Sequence, residues 1–223
     1  GEWRIMRFVA SNTGQKLECP SPNSDGLVID HLSREAATID MTYILDRLLS
    51  ARKSLDALKT FMLDSYEVAE AVDWTDDLAE VFRQRYGYDP APYLPALFDP
   101  ASLDPGIAGR FLHDYRVTVS DLIIENHFRA VRDLLNMRGI RLLAEAGHGG
   151  SARVDAVKAL GSVDIPMGEF WNHQRFWVVK EAASAAHIYG RRIVDAETLT
   201  GWRNWQEGPA EYKRRFDIAL CAG

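Results

Sequence analysis

Short apolar runs typical of strands alternate along the chain with longer segments whose apolar residues recur at helical spacing. Such alternation favours a parallel α/β architecture, because each strand is followed by a helix that can cross back over the sheet. The predicted strands cover residues 3–9, 26–32, 58–63, 140–144, 163–165 and 192–196. The predicted helices cover residues 33–49, 74–86, 109–138, 153–160, 175–189 and 210–220.

The number of predicted strands limits the choice of fold. A (β/α)8 TIM barrel needs eight strand–helix units, and the pattern supplies about six over residues 1–223. A strand begins almost at the first residue and a helix runs almost to the last, so both ends cut through elements. We therefore expect a single catalytic-barrel segment that is incomplete and belongs to a longer chain. An open doubly wound sheet is the alternative.

Four of the apolar runs stop at or close to carboxylates. Side chains at the ends of parallel strands converge on one face of an α/β barrel, where active sites are built. Converging carboxylates indicate acid/base chemistry at that face. The residues concerned are Asp64, Glu67, Glu145, Glu169 and Glu197.

Composition and charge exclude several functional classes. The chain has 26 Lys and Arg against 32 Asp and Glu, a net charge of −6, and no basic tract that could grip phosphates. We therefore expect no nucleic-acid partner. No apolar run approaches the roughly 20 residues that span a bilayer, so we expect a soluble segment without a membrane span, secreted or periplasmic only if a signal lay upstream. The two cysteines, Cys19 and Cys221, support neither a disulfide framework nor a thiolate metal site.

Two of the carboxylate positions have aromatic neighbours. Tyr66 lies between Asp64 and Glu67, which suits a general acid or a cation ligand beside a ring for substrate packing. A helix-start cap is the plainer interpretation. Glu197 is followed by Trp202, and an indole beside a carboxylate is typical of a sugar site. Interdomain packing would also explain the tryptophan.

Glycines and histidines mark the remaining candidates. Gly168 would let the backbone bring Glu169 close to a ligand or ion, although Glu169 could equally cap the next helix. Glu145 and His148, on a glycine-rich turn, could contact hydroxyls or a metal, unless the turn is only a tight connection. His31 could line the same site or serve in capping or core packing. The histidines inside predicted helices are expected to be structural or surface residues: His113, His127 and His187.

A set of short motifs spans nearly the whole chain. They are DGLVIDHLSREA at 25–36, LDSYE at 63–67, WT at 74–75, RYGYD at 85–89, HDYR at 113–116, EAGHGG at 145–150, DIPMGE at 164–169 and SAAHIYG at 184–190. In this order and spacing the motifs resemble those of the α-L-rhamnosidases of glycoside hydrolase family 106. The resemblance implies a (β/α)8 barrel embedded in a longer multidomain chain.

The resemblance also implies an inverting, calcium-dependent glycosidase acting on a rhamnose-containing glycoside or polysaccharide. By position, Glu67 matches the general acid and Glu197 the general base. Glu169 and Asp64 match residues close to the cation. Glu145 departs from the neutral residue expected at its position and adds a negative charge. Substrate contacts are expected from Tyr66, His31, Glu145, His148 and Trp202.

Two other functions stay open at this point. The segment could bind carbohydrate without cleaving it, because the missing strands would leave the site unclosed. A metal-dependent isomerase or lyase on a barrel is the other, and the scarcity of histidines at ligand spacing disfavours it.

Overall fold

Four parallel strands form the sheet in the computed structural model of the protein, which describes residues 5–17, 20–51, 54, 56–67, 72–146, 153–171, 177–201 and 206–223. The strands pair in chain order, and every pairing is parallel. The sheet curls into a half-barrel, so the described part of the chain is a mixed α/β unit consistent with an incomplete barrel. The strands are β1 (Thr60–Leu63), β2 (Arg141–Glu145), β3 (Ile165–Trp171) and β4 (Asp195–Thr200).

Helices precede, connect and follow the strands. Short 3₁₀ helices at Ala91–Leu97 and Pro100–Ser102 lie in a proline-rich segment, residues 88–105, where proline removes the donors that a longer α-helix needs. A π-helical turn, Ile124–Arg129, joins the α-helix Pro105–Ile123 to the α-helix Ala130–Asn136. No helix among the described residues is long and apolar enough to cross a membrane. The α-helices are α1 (Arg34–Ala51), α2 (Leu78–Tyr86), α3 (Pro105–Ile123), α4 (Ala130–Asn136), α5 (Ala156–Gly161), α6 (Trp177–Tyr189) and α7 (Pro209–Ala222).

Local signals in the sequence set several helix ends. Asp104 Oδ1 accepts hydrogen bonds from the first free backbone N–H groups of α3, and the Asp155 side chain accepts one from Lys158 N in α5. Gly87 (φ 75°) follows α2 and Gly190 (φ 67°) follows α6, both in the left-handed conformation that glycine adopts without strain. The ends of α2 and α6 agree with the predicted helices, whereas α3 begins at Pro105 rather than at 109 and α5 begins at Ala156 rather than at 153.

The face of the sheet that meets the helices is apolar. Leu142 and Ala144 of β2 are fully buried in the core. On β3, a Cβ added to Gly168 would lie 2.8 Å from the backbone oxygen of Val178, so the missing side chain lets α6 pack closely against the strand. Because strand side chains alternate between faces, the residues in between point to the other face, which carries the carboxylates.

The two strands predicted nearest the start of the chain are wrong for the residues that the structure describes. Residues 5–9 and 26–32 form no regular strand, and one antiparallel bridge between Lys16 and Leu27 is present there instead. Ile5 is 93% exposed, so none of the described residues buries its side chain, and none pairs with residues 5–9 as a strand. The described residues therefore contain four strands in place of six.

Candidate active site

Carboxylates from neighbouring strands share one face of the sheet. Glu169 of β3 pairs in register with Glu197 of β4, and paired residues of parallel strands point to the same side. Met167, two residues before Glu169, pairs with Glu145 of β2. Asp64 directly follows β1. Because Leu63 pairs with Ala144, the same register places Asp64 beside Glu145. The register thus brings the predicted strand-end carboxylates together.

Glu145 lies at the centre of this group. It is 3% exposed, and its Oε1 atom has no hydrogen-bond partner among the described residues. Its pKa is raised to about 8, first by burial and then by the negative charges of Glu169, Glu197, Asp64 and Glu67. Since the other four charges all act on it, the five residues form one carboxylate cluster, and Glu145 is mostly protonated at neutral pH.

Hydrogen bonds orient the carboxylates that follow β1 and the carboxylate on β4. The Ser65 hydroxyl donates to Glu67 Oε1 at 3.0 Å, and the Ser65 backbone N–H donates to Asp64 Oδ1 at 2.8 Å. The Thr200 hydroxyl donates to Glu197 Oε1 at 3.2 Å. Glu67 is exposed and Glu197 is half-buried, whereas the carboxylates on β2 and β3 are buried. The accessible carboxylates of Glu67 and Glu197 therefore flank the buried carboxylates of Glu145 and Glu169.

Three of the carboxylates lie within strands, which corrects the predicted local context. Glu145 is the last residue of β2 rather than part of the following turn, and Glu169 lies inside β3 rather than at a helix cap. Glu197 also lies inside β4, which continues to Thr200. Gly168 faces α6, so it serves helix packing rather than ligand approach. The aromatic and β-branched residues after Glu169 and Glu197 favour the longer strands.

An aromatic cluster of His31, Tyr66 and His127 lies beside the end of β1. The His31 ring centroid is 5.0 Å from that of Tyr66 and 4.6 Å from that of His127. Tyr66 and His127 are each 7% exposed. Burial, with a smaller contribution from His31, lowers the pKa of His127 to about 3, so this imidazole is neutral. Its Nδ1 atom has no hydrogen-bond partner among the described residues.

His127 is a residue whose position sequence reasoning missed. It belongs to the π-helical turn between α3 and α4, and single π turns inside α-helices occur frequently at functional sites. The sequence pattern around it is that of an ordinary amphipathic helix, so no local signal distinguishes it. The structural role predicted for it agrees with its burial. Its contact with His31 and Tyr66 was not foreseen.

A cavity of about 1300 Å³ opens beside the aromatic cluster. The Gln15 amide, which lines it, donates to the backbone oxygen of Glu67 at 3.5 Å. The cavity therefore adjoins the Glu67 side of the carboxylate cluster. Its described lining comprises residues 6–13, 15, 28–32, 66, 72–76, 94, 97 and 98.

The remaining predictions concern substrate contacts and the cation. His148 and Trp202 lie outside the described residues, and their roles stay predictions. Carboxylate oxygens are the ligands that Ca²⁺ prefers, so the donor chemistry of the cluster suits the predicted ion. However, no group of three or more His, Cys, Asp or Glu residues in the described ranges is arranged to hold a metal ion.

Comparison with known proteins places the chain in a family. A family model for α-L-rhamnosidase, glycoside hydrolase family 106, matches residues 1–223. A "Putative beta-glucuronidase" of Formosa agariphila is 33% identical over 227 residues, covering 100% of this chain and 19% of the relative. The solved structure of a rhamnosidase from Novosphingobium sp. PP1Y matches with a TM-score of 0.79 and 28% identity, covering 92% of this chain and 21% of that protein.

The chain spans about a fifth of the length of both relatives. The match of the family model is nevertheless continuous over the described half-barrel and its carboxylate cluster. The chain belongs to glycoside hydrolase family 106, the α-L-rhamnosidase family.

Proposed function

We propose that the carboxylate cluster hydrolyses terminal α-L-rhamnosides with inversion, with Glu67 as the general acid and Glu197 as the general base. The observation that carries the proposal is the convergence of five carboxylates around Glu145 on one face of the sheet. Family membership supports the glycosidase class. In the whole protein, Glu67 protonates the glycosidic oxygen while Glu197 removes a proton from the attacking water.

The positions of the two glutamates support separate roles. Glu67 follows β1 and Glu197 lies on β4, the two edge strands of the described sheet. They can therefore approach a sugar from opposite sides, as inversion requires, with room for a water molecule between base and sugar. Each carboxylate accepts a hydrogen bond from the hydroxyl of a nearby residue: Glu67 from Ser65, and Glu197 from Thr200. A hydroxyl that bonds to a carboxylate fixes its direction without neutralising it.

The buried carboxyl of Glu145 supports a role in substrate binding. A protonated carboxyl can donate a hydrogen bond to a sugar oxygen, and its uncharged state limits the repulsion among the five acids. We also propose that a Ca²⁺ ion bound near Glu169 and Asp64 would balance the remaining charge and contact sugar hydroxyls. Family resemblance and the acidic surroundings support this ion, and no step of the acid/base chemistry depends on it.

Glu67→Gln and Glu197→Gln test the roles in the whole protein. We expect each to lower kcat on a disaccharide with terminal α-L-rhamnose, whose alcohol leaving group needs a proton, by roughly 10²- to 10⁴-fold, the usual contribution of a general acid or base. Asp46→Asn, which alters an exposed carboxylate on α1, is the control and should leave kcat unchanged. Full activity of either Gln variant would rule out its assigned role.

The stereochemistry and the sugar need separate assays. Inversion predicts that the first product seen by NMR is β-L-rhamnose, whereas release of the α-anomer would require a retaining mechanism. Because one relative is named as a glucuronidase, 4-nitrophenyl β-D-glucuronide should be assayed in parallel with 4-nitrophenyl α-L-rhamnoside. Faster cleavage of the glucuronide than of the rhamnoside would overturn the sugar assignment.

The alternative function is that this segment of the protein binds carbohydrate without cleaving it. It is favoured by the observation that the chain spans only about a fifth of its relatives. Calorimetry with L-rhamnose on this segment, followed by turnover assays on the segment and on the whole protein, separates the cases. Binding to the segment with turnover confined to the whole protein would assign catalysis to the complete site.

A further inference from the structure

The cavity beside the aromatic cluster combines aromatic surface with polar groups. Phe98 is 62% exposed and lies 5.7 Å, between ring centroids, from Phe8, which is 37% exposed. Half-buried Trp74 also lines the cavity. The carboxyls of Asp73 and Asp76 belong to the same lining. Rings that stack on the apolar faces of a sugar, next to groups that bind its hydroxyls, are the usual elements of a carbohydrate site.

The cavity lies on the Glu67 side of the cluster. Tyr66 lines the cavity and immediately precedes Glu67, and Gln15 of the wall bonds to the Glu67 backbone. Towards the sheet, the charge of Glu67 acts on Glu145. Over the described residues, the lining includes no member of β2, β3 or β4. Glu67 thus lies between the cavity and the carboxylates of the sheet.

A general acid in a glycosidase contacts the oxygen that joins the cleaved sugar to its leaving group. The leaving group must therefore extend from the acid in the direction away from the base. From the position of the cavity we propose that it binds the leaving group of the substrate, and that this leaving group is a neutral oligosaccharide. The inference rests on the proposed function, since it takes Glu67 as the acid.

Size and charge define the class of leaving group. The cavity volume of about 1300 Å³ exceeds the range of roughly 300–1000 Å³ usual for small-molecule sites, so it has room for more than one sugar ring. In the described lining, three carboxylates, Asp30, Asp73 and Asp76, outnumber the single cation Arg7, even though Arg153 pairs with Asp73 at 3.4 Å. Excess negative charge disfavours uronic acids, because like charges repel.

Hydrogen bonds between separate segments hold part of the cavity wall in place. The Thr75 hydroxyl donates to Asp30 Oδ2 at 2.7 Å, which joins two of the lining segments. The Asn126 amide, in the π-helical turn, donates to the backbone oxygen of Leu32 at 2.6 Å. His127, in the same turn, packs against His31 of the lining. A wall fixed in this way loses little conformational entropy when a ligand binds.

Phe98→Ala in the whole protein tests the inference, because this exposed ring lies outside the hydrophobic core. Two kinds of substrate are compared: a panel of neutral di- and trisaccharides with terminal α-L-rhamnose, and α-L-rhamnosyl fluoride, whose leaving group needs no cavity. For the best oligosaccharide, we expect kcat/KM relative to that for the fluoride to fall roughly tenfold, mainly through KM, as loss of a stacking ring would produce. Tyr43→Ala, an exposed ring on α1 outside the cavity, is the matched control and should leave this ratio unchanged.

Several outcomes would overturn the inference while leaving the proposed function intact. These are an unchanged ratio in Phe98→Ala, cleavage of the fluoride but of no oligosaccharide in the panel, and better cleavage of uronic acid-containing oligosaccharides than of neutral ones. A larger effect on 4-nitrophenyl α-L-rhamnoside than on every oligosaccharide would assign the cavity to aromatic leaving groups instead. If the wild-type protein cleaves neither the fluoride nor any oligosaccharide, the proposed function itself fails and the leaving-group site fails with it.

Discussion

The substitution Glu145→Gln tests the electrostatics of the carboxylate cluster directly. The pKa of Glu145 is about 8 in the folded protein against 4.5 for an ordinary Glu. Each pKa unit corresponds to about 1.4 kcal/mol, so ionising this buried carboxyl costs the folded state on the order of 5 kcal/mol. Gln keeps the shape of the protonated side chain and removes that cost.

The sign of the effect follows from proton binding in the two states. Below pH 4.5 both the folded and the unfolded chain hold the proton, so Glu145 adds no pH dependence. Between pH 4.5 and about 8 the unfolded chain releases the proton while the folded protein keeps it, so stability falls by about 1.4 kcal/mol per pH unit. Above pH 8 the loss is complete. The Gln variant should therefore match the wild type near pH 5 and exceed it increasingly up to pH 8.

Hydrogen exchange measured by mass spectrometry over β2, with EDTA present, gives the local stability of the strand that carries Glu145. The chelator matters because a bound cation would favour the ionised carboxyl. Asp46→Asn, on the exposed side of α1, is the control and should not change the protection of β2. A Glu145→Gln difference that is the same at pH 5 and pH 8.5 would refute a buried, protonated Glu145.

Three further predictions concern packing, the buried histidine and the cation. Gly168→Ala should cost about 1–3 kcal/mol of unfolding free energy by overpacking α6 against β3, whereas Gly109→Ala, which has open space on α3, should be neutral or stabilising in the same urea titration. The pKa of His127 is lowered to about 3, so below pH 6.5 the unfolded chain binds a proton at this residue and the folded protein does not. The free energy of unfolding should therefore decrease by up to about 1.4 kcal/mol for each pH unit as the pH is lowered from 6.5 to 3. His127→Gln should flatten that part of the pH–stability curve, and His113→Gln, at an exposed histidine, should not. Ca²⁺ at about 100 times its Kd should stabilise the protein by about 2.7 kcal/mol in a thermal shift assay, and Glu169→Gln should abolish the shift, whereas an equal shift in the variant would exclude Glu169 as a ligand.

The helices were predictable because their signals are local. The apolar spacing and the glycine stop signals of α2 and α6 lie within each segment, and the structure places both glycines in the left-handed conformation. The two strands predicted nearest the start of the chain were wrong for the described residues, because a strand needs hydrogen bonds from a partner strand, and the alternating pattern does not show whether such a partner is there. Ile5 shows the difference, since this apolar residue of the alternating segment stays 93% exposed.

The candidate site likewise has some features that local sequence predicts and others that depend on the fold. Residue order is enough to predict that strand-like runs deliver carboxylates and that the motifs resemble those of one glycosidase family. The burial of Glu145 among four other acids, with a pKa of about 8, depends on the fold. So does the contact of His127, in the π-helical turn, with His31 and Tyr66. The physical reason is that burial, register and charge interactions depend on which distant segments become neighbours, and the fold alone brings those segments together.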